Sequence, residues 1–251
     1  MSFVREVKKL AENGDSDAQC ELGLLYEDGD GVRQSYKKAE KWFKLSAEQG
    51  NSIGQFCLGM LYDEGEGVPQ DHEEAVRLYK LSAEQGNADA QHRLGEMYYF
   101  GEGVSQSYEE ALKWYRLSAE HGDPGDQYNV GIMYAKGEGT KINDEEAVKW
   151  FRLAAEQESP EGQNSLGFMC QMGRGVPQSF EEAFKWFELA ADQGDANAMY
   201  NLGEMYRDGL GMPQDKIKAK EMFELADEYG CEEAEEALRE LSRKDQISSR
   251  P

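Results

Sequence analysis

Long apolar runs are missing from this sequence, and no stretch comes near the ~18 consecutive apolar residues that a membrane-spanning helix needs. The segment from Met1 to Leu10 is charged and lacks the apolar core of a signal peptide. We therefore expect a soluble protein that works in the cytoplasm and does not bind membranes.

Basic residues are also scarce. The chain has 27 Lys and Arg against 50 Asp and Glu, which gives a formal net charge of -23. Nucleic-acid phosphates are bound mainly by Lys and Arg, so we expect no nucleic-acid partner. The negative charge favours a basic partner protein, although an acidic surface that only keeps the chain soluble explains it as well.

Cysteine and histidine are too few and too scattered to predict a chemical site. The four cysteines share no regular spacing, so no disulfide framework follows, and reduced thiols fit the cytoplasm. The three histidines, His72, His92 and His121, fall at different phases of a 36-residue repeat and should not converge on one metal ion. No set of nucleophile, base and orienting group emerges. We therefore predict no cofactor, no metal ligands, no catalytic residues and no enzymatic activity.

What the sequence does contain is an internal repeat with a period of 36 residues. One series of glycines marks the end of each unit, with Glu158 as its exception, and a second series marks a fixed point inside each unit. The first series is Gly14, Gly50, Gly86, Gly122, Gly194 and Gly230, and the second is Gly23, Gly59, Gly95, Gly131, Gly167 and Gly203. Such a period predicts a stack of similar modules rather than ordinary globular domains.

Each unit carries two helical patterns, which we name helix A and helix B. In the first unit, apolar residues lie at Ala18, Leu22 and Leu25 in helix A, and at Ala39 and Phe43 in helix B. Before each helix stands a polar residue that can accept a hydrogen bond from the first-turn N–H groups. These caps are Asp15, Asn51, Asn87, Asp123, Ser159 and Asp195 for helix A, and Ser35, Asp71, Ser107, Asn143, Ser179 and Asp215 for helix B.

The pattern predicts an all-α solenoid of six helix pairs with a half-repeat at each end. Residues 3–13 form a lone helix B, and residues 231–242 form a last helix A with a polar face. The pairs cover residues 15–49, 51–85, 87–121, 123–157, 159–193 and 195–229. We expect one repeat domain over residues 1–242 and a disordered C-terminal tail over residues 243–251.

Two sets of glycines indicate how the chain turns and packs. Gly-x-Gly turns, such as Gly29/Gly31, separate helix A from helix B and permit the positive φ angles that redirect the chain. The glycines equivalent to Gly23 lie inside helix A, where each costs roughly 1 kcal/mol relative to alanine. We therefore expect helix B to approach helix A closely at these glycines.

The stretch from Ala90 to Gly122 resembles a Sel1-like repeat, a longer relative of the tetratricopeptide repeat. The resemblance is carried by Ala90, Leu94, Gly95, Tyr98, Gly101, Gly103, Ala111, Trp114, Tyr115, Ala119 and Gly122, and it recurs in six copies over residues 3–242. Local departures are Thr140, Glu158, Cys170 and Met212. The resemblance implies a right-handed superhelix whose helices A line a concave groove. It also implies an adaptor or scaffold that binds other proteins.

A second stripe on helix A, at the positions of residues 20, 24 and 27, varies between copies and is the candidate partner-binding surface. If helix A lines a groove, large side chains here can anchor a partner, but they can equally pack against the neighbouring helix A. The candidate binding residues are Phe56, Met60, His92, Tyr99, Tyr128, Ile132, Phe168, Tyr200 and Arg207.

The leading functional prediction is a non-enzymatic, monomeric adaptor that holds a peptide or helix of a partner protein in the concave groove. Two alternatives stay open. One is a hydrolase-type enzyme with an active site in the groove. The other is a structural protein that self-associates end to end, which the polar last helix disfavours.

Overall fold

The computed structural model describes residues 2–248, and the side chains of residues 3–242. The described residues form fourteen α-helices and no strand. The chain divides into two compact units, residues 1–121 and 122–251, and the boundary falls between the third and fourth predicted helix pairs. The all-α helical-repeat class is therefore confirmed. A single continuous domain over residues 1–242 stays a prediction.

Unit 1, residues 1–121, is a row of helices in which each helix packs against the ones before and after it in the chain. The helices are α1 (Ser2–Glu12), α2 (Ser16–Asp28), α3 (Tyr36–Glu48), α4 (Ser52–Glu64), α5 (His72–Ala83), α6 (Ala88–Phe100) and α7 (Tyr108–Ala119). The even-numbered helices are helices A, and the odd-numbered ones are helices B.

Unit 2, residues 122–251, has the same internal arrangement. Its helices are α8 (Pro124–Lys136), α9 (Asp144–Glu156), α10 (Pro160–Met172), α11 (Phe180–Asp192), α12 (Ala196–Asp208), α13 (Lys216–Glu228) and α14 (Glu232–Ser248). No helix in the described part of the chain is both long and apolar enough to cross a membrane.

The predicted helix caps are confirmed with one exception. Every predicted cap of helix A, Asp123 for example, accepts a hydrogen bond from the N–H group three residues later. Five of the six helix B caps also accept first-turn hydrogen bonds. The prediction for Ser35 is wrong, because its side chain makes no such bond. The Lys38 N–H donates instead to the Ser35 carbonyl oxygen, at 2.9 Å.

The predicted close approach of helix B to helix A is confirmed. A Cβ atom added at Gly131 would lie 2.6 Å from the ring of Phe151, and one added at Gly167 would lie 2.7 Å from the ring of Phe187. Both rings are buried in the core. The missing side chain on helix A therefore makes room for an aromatic ring of helix B in each repeat, which sets the spacing of the helices that carry the candidate site.

The turns and the repeat ends also follow the sequence prediction. Both glycines of the Gly-x-Gly turns have positive φ, and the first one of each turn caps the preceding helix A. Glu158, which replaces a glycine of the first series, adopts a φ of 64°, so the backbone keeps the glycine conformation without the glycine. Cys170 is fully buried, as expected for a small apolar side chain.

The last helix is longer than predicted. Its backbone continues from Glu232 to Ser248 instead of ending near Ser242. Residues 243–248 contain neither Gly nor Pro, so nothing in the sequence breaks the helix there. The structure thus continues the backbone of α14 over residues 243–248, and residues 249–251 lie outside the described part of the chain. The disordered tail over residues 243–251 stays a prediction.

Candidate functional site

The predicted second stripe of helix A is only half-buried in both units. In unit 1, Phe56, Met60, His92 and Tyr99 lie on α4 and α6, and each keeps part of its side chain accessible. In unit 2, Tyr128, Ile132, Tyr200 and Arg207 behave in the same way on α8 and α12. Phe168 on α10 is the most open of the set, with 41% of its surface exposed. The stripe therefore offers apolar and aromatic surface on each helix A.

Ring packing explains the partial burial. The first residue of the stripe is aromatic in α4, α8 and α12. Its ring packs against a helix B ring, the same ring that lies against the glycine inside helix A. Its ring centroid lies 5.7 Å away for Phe56 and Tyr79, 6.0 Å for Tyr128 and Phe151, and 5.5 Å for Tyr200 and Phe223. His92 lies 6.0 Å from the ring of Tyr115 in the same way. These contacts are with helix B of the same pair and not with the neighbouring helix A, so they leave the choice between a binding surface and packing against helix A open.

In unit 2 the stripe borders a cavity of about 280 Å³. Its apolar wall includes Ile132 and Phe168, which come from α8 and α10. Asn164 and Asn201, from α10 and α12, add two side-chain amides, and Asn201 Nδ2 donates to Asn164 Oδ1 at 2.9 Å. Of the candidate residues, the structure thus brings Ile132 and Phe168 together in one pocket that also offers polar groups.

Arg174 forms the charged edge of this cavity. Its guanidinium donates to both carboxylate oxygens of Asp144, at 3.0 and 2.5 Å, and to the Ala135 carbonyl oxygen at 3.4 Å. The hydrogen bond to Asp144 raises the pKa of Arg174 above its ordinary value, so the side chain stays charged. Both Arg174 and Asn201 escaped the sequence analysis. The sequence does set Arg174 apart from its equivalents, because the middle residue of the Gly-x-Gly turn is acidic in the first four copies and basic in the fifth.

The other candidate residues of unit 2 lie outside the lining of this cavity. The Tyr200 hydroxyl donates to Glu204 Oε1 at 3.4 Å. Arg207 is held by Glu204 at 2.9 Å and by Asp208 at 2.7 Å, and its guanidinium carbon lies 5.9 Å from the centre of the Phe223 ring. Arg207 therefore already has two carboxylate partners within the chain, and its role in binding a partner stays a prediction.

In unit 1 the stripe is surrounded by polar contacts. Asp63 Oδ1 lies 2.8 Å from His72 Nδ1, and Asp63 Oδ2 accepts from the Tyr79 hydroxyl at 3.2 Å. His92 lies 3.5 Å from Glu96. Among the described residues, no group of three or more His, Cys, Asp and Glu side chains is placed to hold a metal ion. The chemistry of this face is that of a mixed polar and aromatic contact surface.

Carboxylates crowd at the ends of α2 and α4. Burial, together with the charges of Asp28, Glu66 and Glu64, raises the pKa of Glu27 to about 7. The Glu66 carboxylate also accepts a hydrogen bond that raises the pKa of Tyr36. This part of unit 1 therefore has an excess of negative charge that a cation from outside would relieve.

We expect the stability of the chain to fall as pH rises through the range in which Glu27 ionises. Its carboxyl holds a proton more tightly in the folded state, with a pKa of about 7, than at the ordinary value of 4.5. The folded chain therefore binds more protons than the unfolded chain between these two pH values, and the stability gained below 4.5 is lost above 7. Glu27→Gln should raise the melting temperature by about 3 °C at pH 8 and leave it unchanged at pH 4.5.

Thermal unfolding of both proteins across this pH range checks the expectation. Glu48→Gln, which alters an exposed carboxylate at the end of α3, is the control and should not reproduce the rise in melting temperature expected of Glu27→Gln at pH 8. A parallel pH dependence in wild type and Glu27→Gln would contradict the assignment.

Comparison with known proteins gives the same repeat boundaries. The family model described as the Sel1 repeat matches residues 16–51, 52–87, 88–123, 126–159, 160–195 and 196–226. The start of each match coincides with the start of a helix A, except for the fourth match, which begins inside α8.

Two solved structures carry the likeness over most of the chain. The first is c5321, a protective antigen of uropathogenic Escherichia coli strains that displays an SLR fold. It matches with a TM-score of 0.85 and 36% identity, over 94% of this chain and 50% of its own. The second is a Sel1 repeat protein from Oxalobacter formigenes, with a TM-score of 0.69, 34% identity and 85% of each chain covered.

The match to a curated protein is much shorter. A sel1-like repeat-containing protein of Acanthamoeba polyphaga mimivirus is 47% identical over 45 residues, which is 18% of this chain and 8% of that protein. The chain thus spans half of the Escherichia coli antigen and a small part of the viral protein.

Proposed function

Because this chain belongs to the Sel1 repeat family, whose members are generally protein-interaction scaffolds, we propose that it is a non-enzymatic adaptor that binds a partner protein. The bound element is a peptide or helix that lies against the helices A of unit 2. Its anchor is an apolar side chain seated between Ile132 and Phe168. The cavity beside these two residues is the observation that carries the proposal.

The cavity has the composition of a peptide-binding pocket. Aromatic and aliphatic anchors in desolvated pockets dominate the energetics of protein interfaces. Phe168 is large, apolar and 41% exposed, so covering it removes apolar surface from water. Asn164 and Asn201 supply amide donors and acceptors of the kind that a peptide backbone can use. The pocket therefore combines one apolar seat with polar groups that fix orientation.

Charge favours basic residues in the partner. The chain carries a net charge of -23, and burial together with the charges of Asp28, Glu66 and Glu64 raises the pKa of Glu27 in unit 1. Complementary charge of this kind speeds association and selects partners more than it adds affinity. The four cysteines are all buried and free, which fits a reducing compartment such as the cytoplasm. We propose that the adaptor works there as a monomer.

Selection from a displayed peptide library, followed by affinity measurement on purified protein, tests the proposal. Peptides enriched by the wild-type chain should share an aromatic or large aliphatic anchor. Phe168→Ala should weaken a selected peptide at least about tenfold, because it removes one side of the seat.

Leu153→Ala is the matched control, since Leu153 is an apolar residue of α9 that is 44% exposed and lines no part of this cavity. It should leave the affinity unchanged. Equal affinity of wild type and Phe168→Ala for every selected peptide would reject the seat on helix A.

A further inference from the structure

A cavity of about 490 Å³ lies elsewhere in unit 2, between the helices B α11 and α13 and the turn that joins α12 to α13. Its walls include Phe184, Tyr206, Met212 and Lys218. The proposed function does not use any of these residues. The volume falls within the range of ligand pockets, about 300–1,000 Å³.

Two residues that differ from their equivalents in the other repeats line this cavity. Position 184 is Phe, whereas the equivalent residues of the second, third and fourth pairs are Val76, Leu112 and Val148. Met212 stands where four of the other five copies have valine. Because both substitutions line the same cavity, its wall differs in composition from the equivalent positions of the other pairs.

The wall of the cavity is aromatic and flexible. Phe184 and Tyr206 meet edge to face, with 5.7 Å between their ring centroids. Met212 adds an adaptable thioether side chain that is partly exposed. A second cavity of about 260 Å³ shares Phe184 and Tyr206 and continues the apolar surface to Met222. Together these residues form a seat for a large apolar side chain.

The sign of one charged residue at the seat is reversed relative to the middle of the chain. Lys218 replaces the glutamate of the four middle pairs, Glu74, Glu110, Glu146 and Glu182. The first pair also has lysine at this position, Lys38, which lies 4.7 Å from the centre of the equivalent tyrosine ring, Tyr26. The residue that corresponds to Phe184 beside Lys38 is Val4, so the second aromatic side chain is present only beside Lys218.

The ammonium group of Lys218 is also available to pair with a carboxylate of a bound segment. Its Nζ lies 5.2 Å from the centre of the Tyr206 ring, and it forms no ion pair with the side chains of residues 3–242. The two carboxylates of the same cavity are already engaged. Glu181 pairs with Lys185 at 2.8 Å, and Asp215 accepts the first-turn N–H groups of α13. The acidic residues Glu188, Asp192 and Glu221 line the adjoining cavity, to which Lys218 also contributes, and none of the three forms an ion pair with Lys218.

We propose that this cavity is a second binding site, which takes a peptide segment of a partner protein that carries a large apolar side chain next to a carboxylate. The apolar side chain packs on Phe184, Tyr206 and Met212, and the carboxylate pairs with Lys218. The site is independent of the seat at Phe168. A second apolar and acidic segment could therefore be bound while the helix A site is occupied or empty.

The test uses three capped octapeptides of Gly and Ser whose central pair is Trp-Glu, Trp-Lys or Ala-Glu, titrated into the full chain and followed by NMR. The Trp-Glu peptide should bind with a dissociation constant below about 1 mM, at least about fivefold tighter than either of the others. Lys218→Glu and Phe184→Val should each weaken it about tenfold. Absence of saturable binding, or equal binding of the Trp-Lys peptide, overturns the proposal.

Both variants introduce residues that the chain itself uses at the equivalent positions, Glu182 and Val148, so folding should be retained and a melting curve verifies it. Val148→Phe is the matched control and should leave the Trp-Glu affinity unchanged. Phe168→Ala should also leave it unchanged, which separates this site from the one on helix A. Undiminished affinity in both Lys218→Glu and Phe184→Val would place the peptide elsewhere and overturn the assignment.

Discussion

Gly175→Ala is expected to lower the free energy of unfolding by about 3 kcal/mol or more. Gly175 has a φ of +68°, which an alanine adopts only with strain. A Cβ atom at this position would also overlap the carbonyl group of Asp144, at the start of α9. Because that carbonyl belongs to a helix backbone, it cannot move aside cheaply. The turn must therefore shift, and Arg174, the residue directly before Gly175, shifts with it.

Gly230→Ala separates the backbone strain from the steric overlap. Gly230 has a φ of +91°, but nothing lies within 4 Å of the position of its Cβ atom. This control should cost only the backbone strain, about 1 kcal/mol. Denaturant unfolding of the two variants and wild type measures the difference. Equal destabilisation by Gly175→Ala and Gly230→Ala would mean that the contact between the turn and α9 does not constrain the repeat.

Gly167→Ala should cost about 2 kcal/mol, even though alanine is the better helix former by roughly 1 kcal/mol. The new methyl group would lie 2.7 Å from the Phe187 ring and 3.2 Å from the Ala183 carbonyl oxygen. Phe187 is completely buried, so its ring cannot turn out of the way. Helices α10 and α11 must therefore move apart, which opens the core of unit 2.

A double-mutant cycle with Phe187→Leu tests the cause of this loss. Leucine occupies less of the space above Gly167, so the double variant should be more stable than the sum of the single changes predicts. Additive losses would show that the overlap with the ring is not the reason for the glycine. The measurement is again denaturant unfolding, with the slope compared between variants to detect changes in the unfolded state.

The glycine pattern is the part of the structure that sequence reasoning predicts best. A glycine inside a helix carries a cost in every repeat, so its recurrence at Gly131 and Gly167 points to a tight contact without any coordinates. Ser35 shows the limit of such reasoning. A serine at the right place can cap a helix, but whether its hydroxyl accepts a bond depends on small differences in the first turn that sequence does not fix.

The candidate site was only partly predictable. Ile132 and Phe168 follow from the spacing of a second helical stripe. Asn201 and Arg174 do not, because they join the cavity from another helix and from a turn, and their distance from Phe168 depends on how three helices pack. For the same reason, periodicity alone could not decide whether Tyr128 and Tyr200 are core or surface residues. In the structure each ring packs against a buried aromatic ring of helix B, while part of the tyrosine side chain stays accessible.

Photo-cross-linking tests most directly whether a partner segment lies on the helices A of unit 2. A peptide selected by the wild-type chain would carry a benzophenone at its anchor position, and mass spectrometry would locate the adducts. We predict adducts on α8 and α10 near Ile132 and Phe168, and their loss when unlabelled peptide is added in excess. Adducts confined to the helices B or to unit 1 would contradict the proposed binding mode.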